Sequence, residues 1–242
     1  MTVVRYLAMM TLCLLHTPFT VFAAPESLVV IDPGHSISSR GAISCSGKGE
    51  NVYNQILAQQ IVQRISTPNR KVLVTTTGES LSLGQRAKLS KGADIFLSIH
   101  HDSVQPQFIK ILKAGDTVKY CSKKATGFSI FVSKNNPQYK SSFRLAQRLG
   151  VALLNRGLTP TLHHAELITG ESRTLLDNKM GIYQFDRLEV LKKAQSPAIL
   201  LEAAVIVHPD NDKLAQTKTF QQNIADAVAE MMEYIIPGEN ND

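Results

Sequence analysis

The chain has 242 residues, of which 43% are hydrophobic and 19% charged, and these values fit one globular domain. A second domain could be present only if both were small. The formal net charge of +6 suits an anionic polymer as a partner, such as cell-wall material or nucleic acid, and charge alone does not choose between them.

Residues 1–23 have the layout of a secretory signal peptide. A single Arg5 precedes an apolar run, and small residues follow at Ala23 and Ala24. The apolar run is too short to span a bilayer, so we expect no stable membrane anchor. Cleavage after Ala23 leaves residues 24–242 as a single domain that is periplasmic or secreted, and export argues against nucleic acid as the partner.

Strands and helices alternate in the part of the chain that follows. Ser27 to Asp32 is a continuous apolar run, as expected of a strand buried on both faces, and apolar residues recur at helical spacing from Glu50 to Ile65. The predicted elements are strand 27–32, helix 50–65, strand 71–75, helix 83–90 and strand 93–100. This order predicts an α/β fold with a mostly parallel sheet and helices on both faces.

The second half of the chain alternates less regularly. Its predicted elements are strand 127–133, helix 137–156, helix 186–194, strand 198–207 and helix 213–236. Residues 102–126 and 159–183 are polar and show no clear period, so we predict irregular insertions, the first with a short strand at 108–112 as one option. Such loops can serve as lids over functional sites.

Two cysteines, Cys45 and Cys121, lie outside the predicted signal peptide. In an oxidising compartment they could form a disulfide that closes a long loop. Two free thiols are equally compatible with the sequence, because nothing in it shows that these residues are close together. Neither cysteine has the CxxC spacing of a redox motif or a zinc ribbon.

Three short segments carry side chains that bind zinc well. His35 ends the segment VVIDPGH, Glu50 begins the first helix, and His100 ends the strand IFLSIH. In open parallel sheets functional residues gather beyond the carboxyl ends of the strands, so these side chains can converge. Two imidazoles and one carboxylate, with a fourth position left for water, are a donor set that suits catalytic zinc.

Glu202 is the fourth residue of interest, because it lies within the apolar strand AILLEAAVIV. A lone carboxylate in such a strand is costly unless it faces a metal, a partner or a cleft. Zinc lowers the pKa of a bound water to about 7, and Glu202 could take up and pass on the proton as a general base. The four residues together predict an enzyme that uses a zinc-activated water.

The segments that carry these residues resemble the zinc-dependent N-acetylmuramoyl-L-alanine amidases of the type 3 family in order and context, over about residues 28–236. They are IDPGH, the early Glu50, LGQRAKLSKGADIFLSIHHD and PAILLEAAVIVHPDND. The resemblance implies zinc ligation by His35, Glu50 and His100. It implies catalysis by Glu202, and a three-layer α/β/α domain around a roughly six-stranded twisted sheet.

The function implied by the resemblance is hydrolysis of the amide between the lactyl group of N-acetylmuramic acid and L-alanine in peptidoglycan. An activator protein is a further candidate partner. The chain departs from the usual family residues after His35, where Ser36 and Ile37 follow, and in the strand end SIHHD, where His101 and Asp102 follow His100. It departs again in the late motif, which has Ala204 and Val205. These departures keep open a non-catalytic peptidoglycan-binding regulator with the same fold. A zinc peptidase acting within the stem peptides would use the same water chemistry.

Two residues near the predicted ligands have supporting roles in this interpretation. His101 points to the opposite face from His100 if the strand continues, so we expect it to support the site rather than bind the metal. Arg86, in the segment LGQRAKL, is expected on a helix surface or in a salt bridge.

His163, His164 and Glu166 lie within the predicted insertion 159–183. We expect them in a solvated loop, because no sequence feature shows that the loop reaches the metal. The alternative is a segment that covers the zinc site and restrains the enzyme.

Overall fold

The computed structural model describes residues 26–75, 81–114 and 117–235. The predicted signal peptide lies outside the described residues, as does the last residue of the helix predicted to end at 236.

Seven strands form the central sheet. The strands of the described residues are β1 (Ser27–Pro33), β2 (Arg70–Val74), β3 (Ile95–Asp102), β4 (Lys110–Ala114), β5 (Thr117–Cys121), β6 (Ser129–Val132), β7 (Thr174–Asp177), β8 (Ile182–Gln184) and β9 (Ala198–Val205). The sheet order is β2-β1-β3-β9-β6-β8-β7, and β4 and β5 form a separate hairpin. Only β6–β9 and β7–β8 pair antiparallel within the sheet.

Helices cover both faces of this sheet. They are α1 (Glu50–Ile65), α2 (Leu83–Lys88), α3 (Tyr139–Asn155), α4 (Glu189–Lys193), α5 (Pro209–Ala215) and α6 (Lys218–Met232). Helices α1, α3 and α6 bury Ile61, Leu149 and Ile224 against one face, while α4 buries Leu191 against Phe96 on the other. None of the described helices has the length and apolar character needed to cross a bilayer.

The prediction of a three-layer α/β/α fold with a mostly parallel sheet is therefore confirmed, with seven strands where about six were expected. The expectation that residues 159–183 are irregular is wrong in part, because β7 and the start of β8 lie there. These strands have four and three residues, too few to show a period, and they form by pairing at the edge of a sheet that already exists.

Two other predicted elements differ in detail. The insertion 102–126 begins with the end of β3 and contains the β4–β5 hairpin in place of one short strand at 108–112. In place of one helix at 213–236, the structure has the end of α5 and then α6, which stops at Met232. The second helix begins where the Thr217 side chain accepts a hydrogen bond from the Phe220 backbone N–H. The helix predicted at 186–194 begins only at Glu189.

Cys45 and Cys121 form a disulfide, so the bridged alternative is the one that the structure contains. The Cys45 N–H donates to the Ile206 carbonyl and the Ser122 N–H donates to the Val207 carbonyl, which attaches both bridged segments to the end of β9. Since the bridged residues are 76 positions apart, restriction of the unfolded chain would contribute about 4 kcal/mol in a chain-entropy treatment.

Candidate metal centre

The three predicted ligands lie together at the carboxyl edge of the sheet. His35 follows β1, Glu50 begins α1, and His100 lies near the end of β3. His35 Nε2 lies 3.0 Å from Glu50 Oε2, and His100 Nδ1 lies 2.9 Å from Glu50 Oε1. One ligand atom from each residue falls within 4.8 Å of the others. These three residues are a candidate site for one ion, and we call this candidate site the metal centre.

Two glycines leave the space that this arrangement needs. A Cβ at Gly34 would lie 2.2 Å from the His100 ring, and a Cβ at Gly41 would lie 2.4 Å from Glu50 Oε2. Any larger residue at either position would displace a ligand. His35 itself has a φ of 66°, a left-handed conformation that is unusual for a non-glycine residue and turns the chain sharply after β1.

The Glu50 carboxylate is buried and heavily hydrogen-bonded. The Ala42 backbone N–H donates to Oε2 at 3.0 Å, and the Asn54 side chain and the His101 backbone N–H donate to Oε1 at 3.1 and 3.2 Å. Burial acts to raise the pKa of Glu50. The hydrogen bonds and charge interactions with His100 and His35 outweigh burial and hold the pKa of Glu50 far below its usual range. Glu50 is therefore a charged donor poised for a cation.

His101 lies behind the metal centre and not in it. Its Nδ1 lies 2.8 Å from Asn54 Oδ1, and Asn54 in turn donates to Glu50. Burial lowers the pKa of His101 to about 4, so its imidazole is neutral at physiological pH. This contact orients Asn54 toward the Glu50 carboxylate, an outer-shell arrangement that fixes a ligand.

Arg86 supports the turn that carries His35. Its Nε donates to Asp32 Oδ1 at 2.6 Å and its Nη2 donates to the Pro33 carbonyl at 2.8 Å. Thr75 and Ser98 also donate to the Asp32 carboxylate. Arg86 is only 6% exposed, so the salt bridge is the correct alternative and the helix surface is not.

Glu202 lies in β9 directly opposite His100 of β3 in the parallel ladder. Its side chain lines a cavity of about 270 Å³ together with Asp102, His164 and Phe131, and its Oε2 is buried without a hydrogen-bond partner in the described part of the chain. Burial raises the pKa of Glu202 well above its usual range, and the carboxylates of Asp102 and Glu50 raise it further.

His163 and His164 are buried, so the expected solvated loop is wrong. They form a short 3₁₀ turn with Ala165 that packs against the end of β3. His164 Nε2 lies 2.8 Å from Asp102 Oδ2 and its Nδ1 lies 2.9 Å from Glu171 Oε2. We call Asp102, His163, His164 and Glu171 the histidine–carboxylate cluster.

This cluster faces the cavity that Glu202 lines, so the segment does border the predicted site. Glu166 is not part of it and forms an ion pair with Lys124 at 2.9 Å. Burial acts to lower the pKa of His164, but the carboxylates of Asp102 and Glu171 outweigh it and raise the pKa to about 9.

Sequence reasoning did not assign a role to Asp102 or Glu171. Asp102 follows His101 at the end of β3, where β3 also shifts register against β9, and that irregularity is not visible in the sequence. Glu171 lies seven residues after His164 in a polar stretch with no period. The unusual sequence SIHHD was the one local signal that the strand end is chemically distinct.

The fold and the site together define an α/β protein with a His-Glu-His cluster that could hold a metal ion at the carboxyl edge of its sheet. The sequence profile of the N-acetylmuramoyl-L-alanine amidase family matches residues 29–234. The chain therefore belongs to this family, whose activity is the amide hydrolysis of peptidoglycan.

Relatives agree with that assignment. The N-acetylmuramoyl-L-alanine amidase AmiA of Salmonella typhimurium is 23% identical over 250 residues, which cover 88% of this chain and 77% of AmiA. The crystal structure of the amidase from Clostridium difficile 630 has a TM-score of 0.67 and 21% identity, and the match covers 89% of this chain and 100% of that one. The CwlD amidase of Clostridioides difficile, solved in complex with the GerS lipoprotein, has a TM-score of 0.61 and 18% identity over 86% of this chain and 97% of that one. At these identities the structural matches establish the fold.

Proposed function

We propose that this chain is an exported, zinc-dependent hydrolase that cleaves the amide between the lactyl group of N-acetylmuramic acid and L-alanine in peptidoglycan. The observation that carries the proposal is the arrangement of His35, Glu50 and His100 beside Glu202. Family membership supports the reaction, and the residues of the site support the way in which it occurs.

The donor set fits zinc. It consists of two imidazoles and one carboxylate, which are borderline ligands that zinc accepts, and both imidazoles remain partly accessible, with side-chain exposures of 29% for His35 and 17% for His100. The spaces left by Gly34 and Gly41 bring the three side chains close enough to share one ion. Zinc bound there supplies a Lewis acid that polarises the amide carbonyl and lowers the pKa of water to about 7.

Glu202 handles the proton in this proposal. Its carboxylate accepts a proton from the water that attacks the carbonyl carbon, and it donates that proton to the amide nitrogen as the carbon–nitrogen bond breaks. The first step requires Glu202 to begin as a carboxylate, and a pKa above the usual range makes that carboxylate a stronger base. No described residue forms a hydrogen bond with Glu202 Oε2, which leaves that atom available for the transfer.

Export and organisation belong to the same proposal. We infer that residues 1–23 direct the chain to the periplasm or the exterior and that residues 24–242 act as one catalytic domain. The Cys45–Cys121 disulfide supports export, since disulfides persist in oxidising compartments. An activator protein is a partner in this proposal, which the CwlD–GerS complex supports by analogy alone.

The test is product analysis with purified peptidoglycan. The protein is incubated with peptidoglycan in the presence and absence of a zinc chelator, beside a Glu202→Gln variant, and released fragments are identified by mass spectrometry. We expect intact stem peptides with a free L-alanine amine, and a loss of at least about 100-fold in the variant.

Glu230→Gln is a matched control, because Glu230 lies on α6 and its ion pair with Arg156, which follows α3, is not part of the site. It should release peptides at the parent rate. Shortened peptides from the parent protein would indicate a peptidase and contradict the proposal. Binding without release, under conditions where zinc is bound, would indicate the non-catalytic regulator.

A further inference from the structure

The histidine–carboxylate cluster brings together more donor atoms than the proposed reaction uses. Asp102 Oδ2 lies 2.8 Å from His164 Nε2 and 3.6 Å from His163 Nε2, and all three residues are buried. One ligand atom from each lies within 4.8 Å of the others, as in the metal centre. Donors around a tetrahedral zinc ion lie about 3.4 Å apart, given bond lengths near 2.1 Å. The two measured separations lie on either side of that value.

One of these donors, His163 Nε2, has no hydrogen-bond partner among the described residues. His163 is 6% exposed, and its Nε2 is buried without a hydrogen bond to any residue that the structure describes. The Ser103 backbone also lies near the His163 ring. His163 Nδ1 is already occupied, because it lies 2.8 Å from Thr161 Oγ1. A buried nitrogen that points at a carboxylate 3.6 Å away calls for a bound group between them.

The outer contacts also match those of a metal site. His164 Nδ1 lies 2.9 Å from Glu171 Oε2, so a proton on Nδ1 leaves Nε2 free to bind a metal. Gln105 donates to the other Glu171 oxygen at 2.8 Å and holds that carboxylate in place. When His164 is neutral, as metal binding through Nε2 requires, Asp102 and Glu171 carry two negative charges against the one positive charge of Arg173, whose Nη1 lies 3.9 Å from Glu171. A bound cation would then replace the proton that His164 carries in the metal-free protein.

We propose that Asp102, His163 and His164 form a second site for a divalent metal of the zinc class, separate from the metal centre, with Glu171 as the outer partner of His164. Two imidazoles and one carboxylate favour zinc or a neighbouring transition metal over calcium or magnesium. The bound ion fastens the segment from His163 to Arg173 against the end of β3. That segment forms one wall of the cavity that Glu202 lines.

The test counts metal ions and does not depend on activity. The full protein is freed of metal with a chelator, titrated with Zn²⁺ or Co²⁺ against a chromophoric competitor, and analysed by mass spectrometry for metal per chain. His163→Phe keeps the ring that packs 3.9 Å from His164 and removes both nitrogens. His208→Phe is the matched control, since His208 is a buried histidine that caps α5 outside both sites.

We expect the cluster to bind one equivalent of metal per chain, and Glu50→Gln should retain that equivalent. His163→Phe should lose it, because its affinity for metal at the cluster should fall by more than about 100-fold. Glu171→Gln should weaken the same equivalent by about 10- to 100-fold, the usual effect of losing an outer partner. His208→Phe should bind as the parent does. In protein that holds both ions, the count is two per chain.

Two results would overturn the inference. In the first, His163→Phe binds as much metal as the parent, so that the cluster is a proton-bridged structural contact. In the second, Glu50→Gln binds no metal, so that the cluster holds no ion of its own. This second measurement tests the inference even if His163→Phe does not fold. The test asks whether one equivalent of metal remains bound after Glu50 is replaced. Failure of the proposed amidase reaction would therefore not change the result of this test.

Discussion

In the metal centre one carboxylate lies between two imidazoles, whereas in the histidine–carboxylate cluster one imidazole lies between two carboxylates. Glu50 contacts His35 and His100, and His164 contacts Asp102 and Glu171. The group in the middle is held in its charged form in both cases: the pKa of Glu50 is far below its usual range, and the pKa of His164 is raised to about 9. The central group of the metal centre is therefore negative because two imidazoles surround a carboxylate. The central group of the cluster is positive because two carboxylates surround an imidazole.

The surroundings of the two sites also differ. Both imidazoles of the metal centre are partly open to solvent, which a substrate requires. His164 instead packs edge-on against Phe131 and Tyr183 and is 8% exposed. This difference indicates that the metal centre is built for exchange with solvent and that the cluster is built to stay closed.

The largest expected difference between the sites is in activity. Glu50→Gln removes the carboxylate that contacts both histidines and binds the metal in the proposed reaction. Activity should fall by at least about 1000-fold, because a catalytic metal supplies several kcal/mol of transition-state stabilisation. Glu171→Gln changes an outer contact of the cluster and should lower activity by about tenfold or less. The measurement is the initial rate of peptide release from peptidoglycan.

Glu189→Gln is the control for both substitutions, because Glu189 pairs with Lys192 and Lys193 on the exposed side of α4. It should leave the rate unchanged. Equal losses in Glu50→Gln and Glu171→Gln would show that the two sites do not divide their roles in this way.

A smaller effect is expected on the stability of metal-free protein. Asp102→Asn leaves the His164 imidazolium with one carboxylate instead of two, and breaking a buried pair of this kind costs about 3 kcal/mol. The free energy of unfolding is obtained from urea titration at pH 7. Asp210→Asn, at an exposed position in the first turn of α5, should change it by less than about 0.5 kcal/mol. A similar small change for Asp102→Asn would contradict the charged cluster.

The remaining expected effects are on the pH dependence of stability, where two buried histidines act in opposite directions. The folded pKa of His164 is about 9, above its usual value of 6.5, so its contribution is complete below about pH 6.5 and is lost as pH rises through about 9. The folded pKa of His101 is about 4, so the unfolded chain binds the extra proton and stability rises between about pH 4 and 6.5. Each contribution is at most about 3.4 kcal/mol, because each folded pKa differs by about 2.5 from its usual value.

Unfolding of metal-free protein in urea from pH 4 to 10 measures both effects, with His164→Gln and His101→Gln compared with the parent. The titratable groups that face His164 are Asp102, His163, Glu171 and Tyr183, and the difference between parent and variant isolates the His164 contribution. If the difference in the free energy of unfolding between the parent and His164→Gln is the same at pH 6 and pH 10, the raised pKa of His164 is refuted.

Much of the metal centre could be predicted because its residues mark element boundaries. His35 ends an apolar strand, Glu50 begins an amphipathic helix, and His100 ends another strand, so the geometry of a parallel sheet brings them to one edge. The fold class followed from the same alternation of strands and helices. Glu202 was recognisable because a carboxylate within an apolar strand needs a specific reason.

The disulfide, the edge strands and the histidine–carboxylate cluster could not be derived in the same way. β7 and β8 are too short for a hydrophobic period, and they become strands only because β6 offers a free edge. Cys45 and Cys121 were candidates, but their proximity depends on how two loops attach to the end of β9. Each of these features depends on contacts between distant parts of the chain.

The sequence by itself determined the α/β class, the order of the main elements and the residues of the metal centre, because periodicity and chain position are local properties. Only the tertiary structure decided that His163 and His164 are buried against Asp102, and that Glu171 completes their contacts. Those charges are 62 and 7 positions away from His164, and burial of an ionisable group is stable only where such partners meet. Where the partners lie depends on the packing of the whole sheet edge, which no local pattern in the sequence specifies.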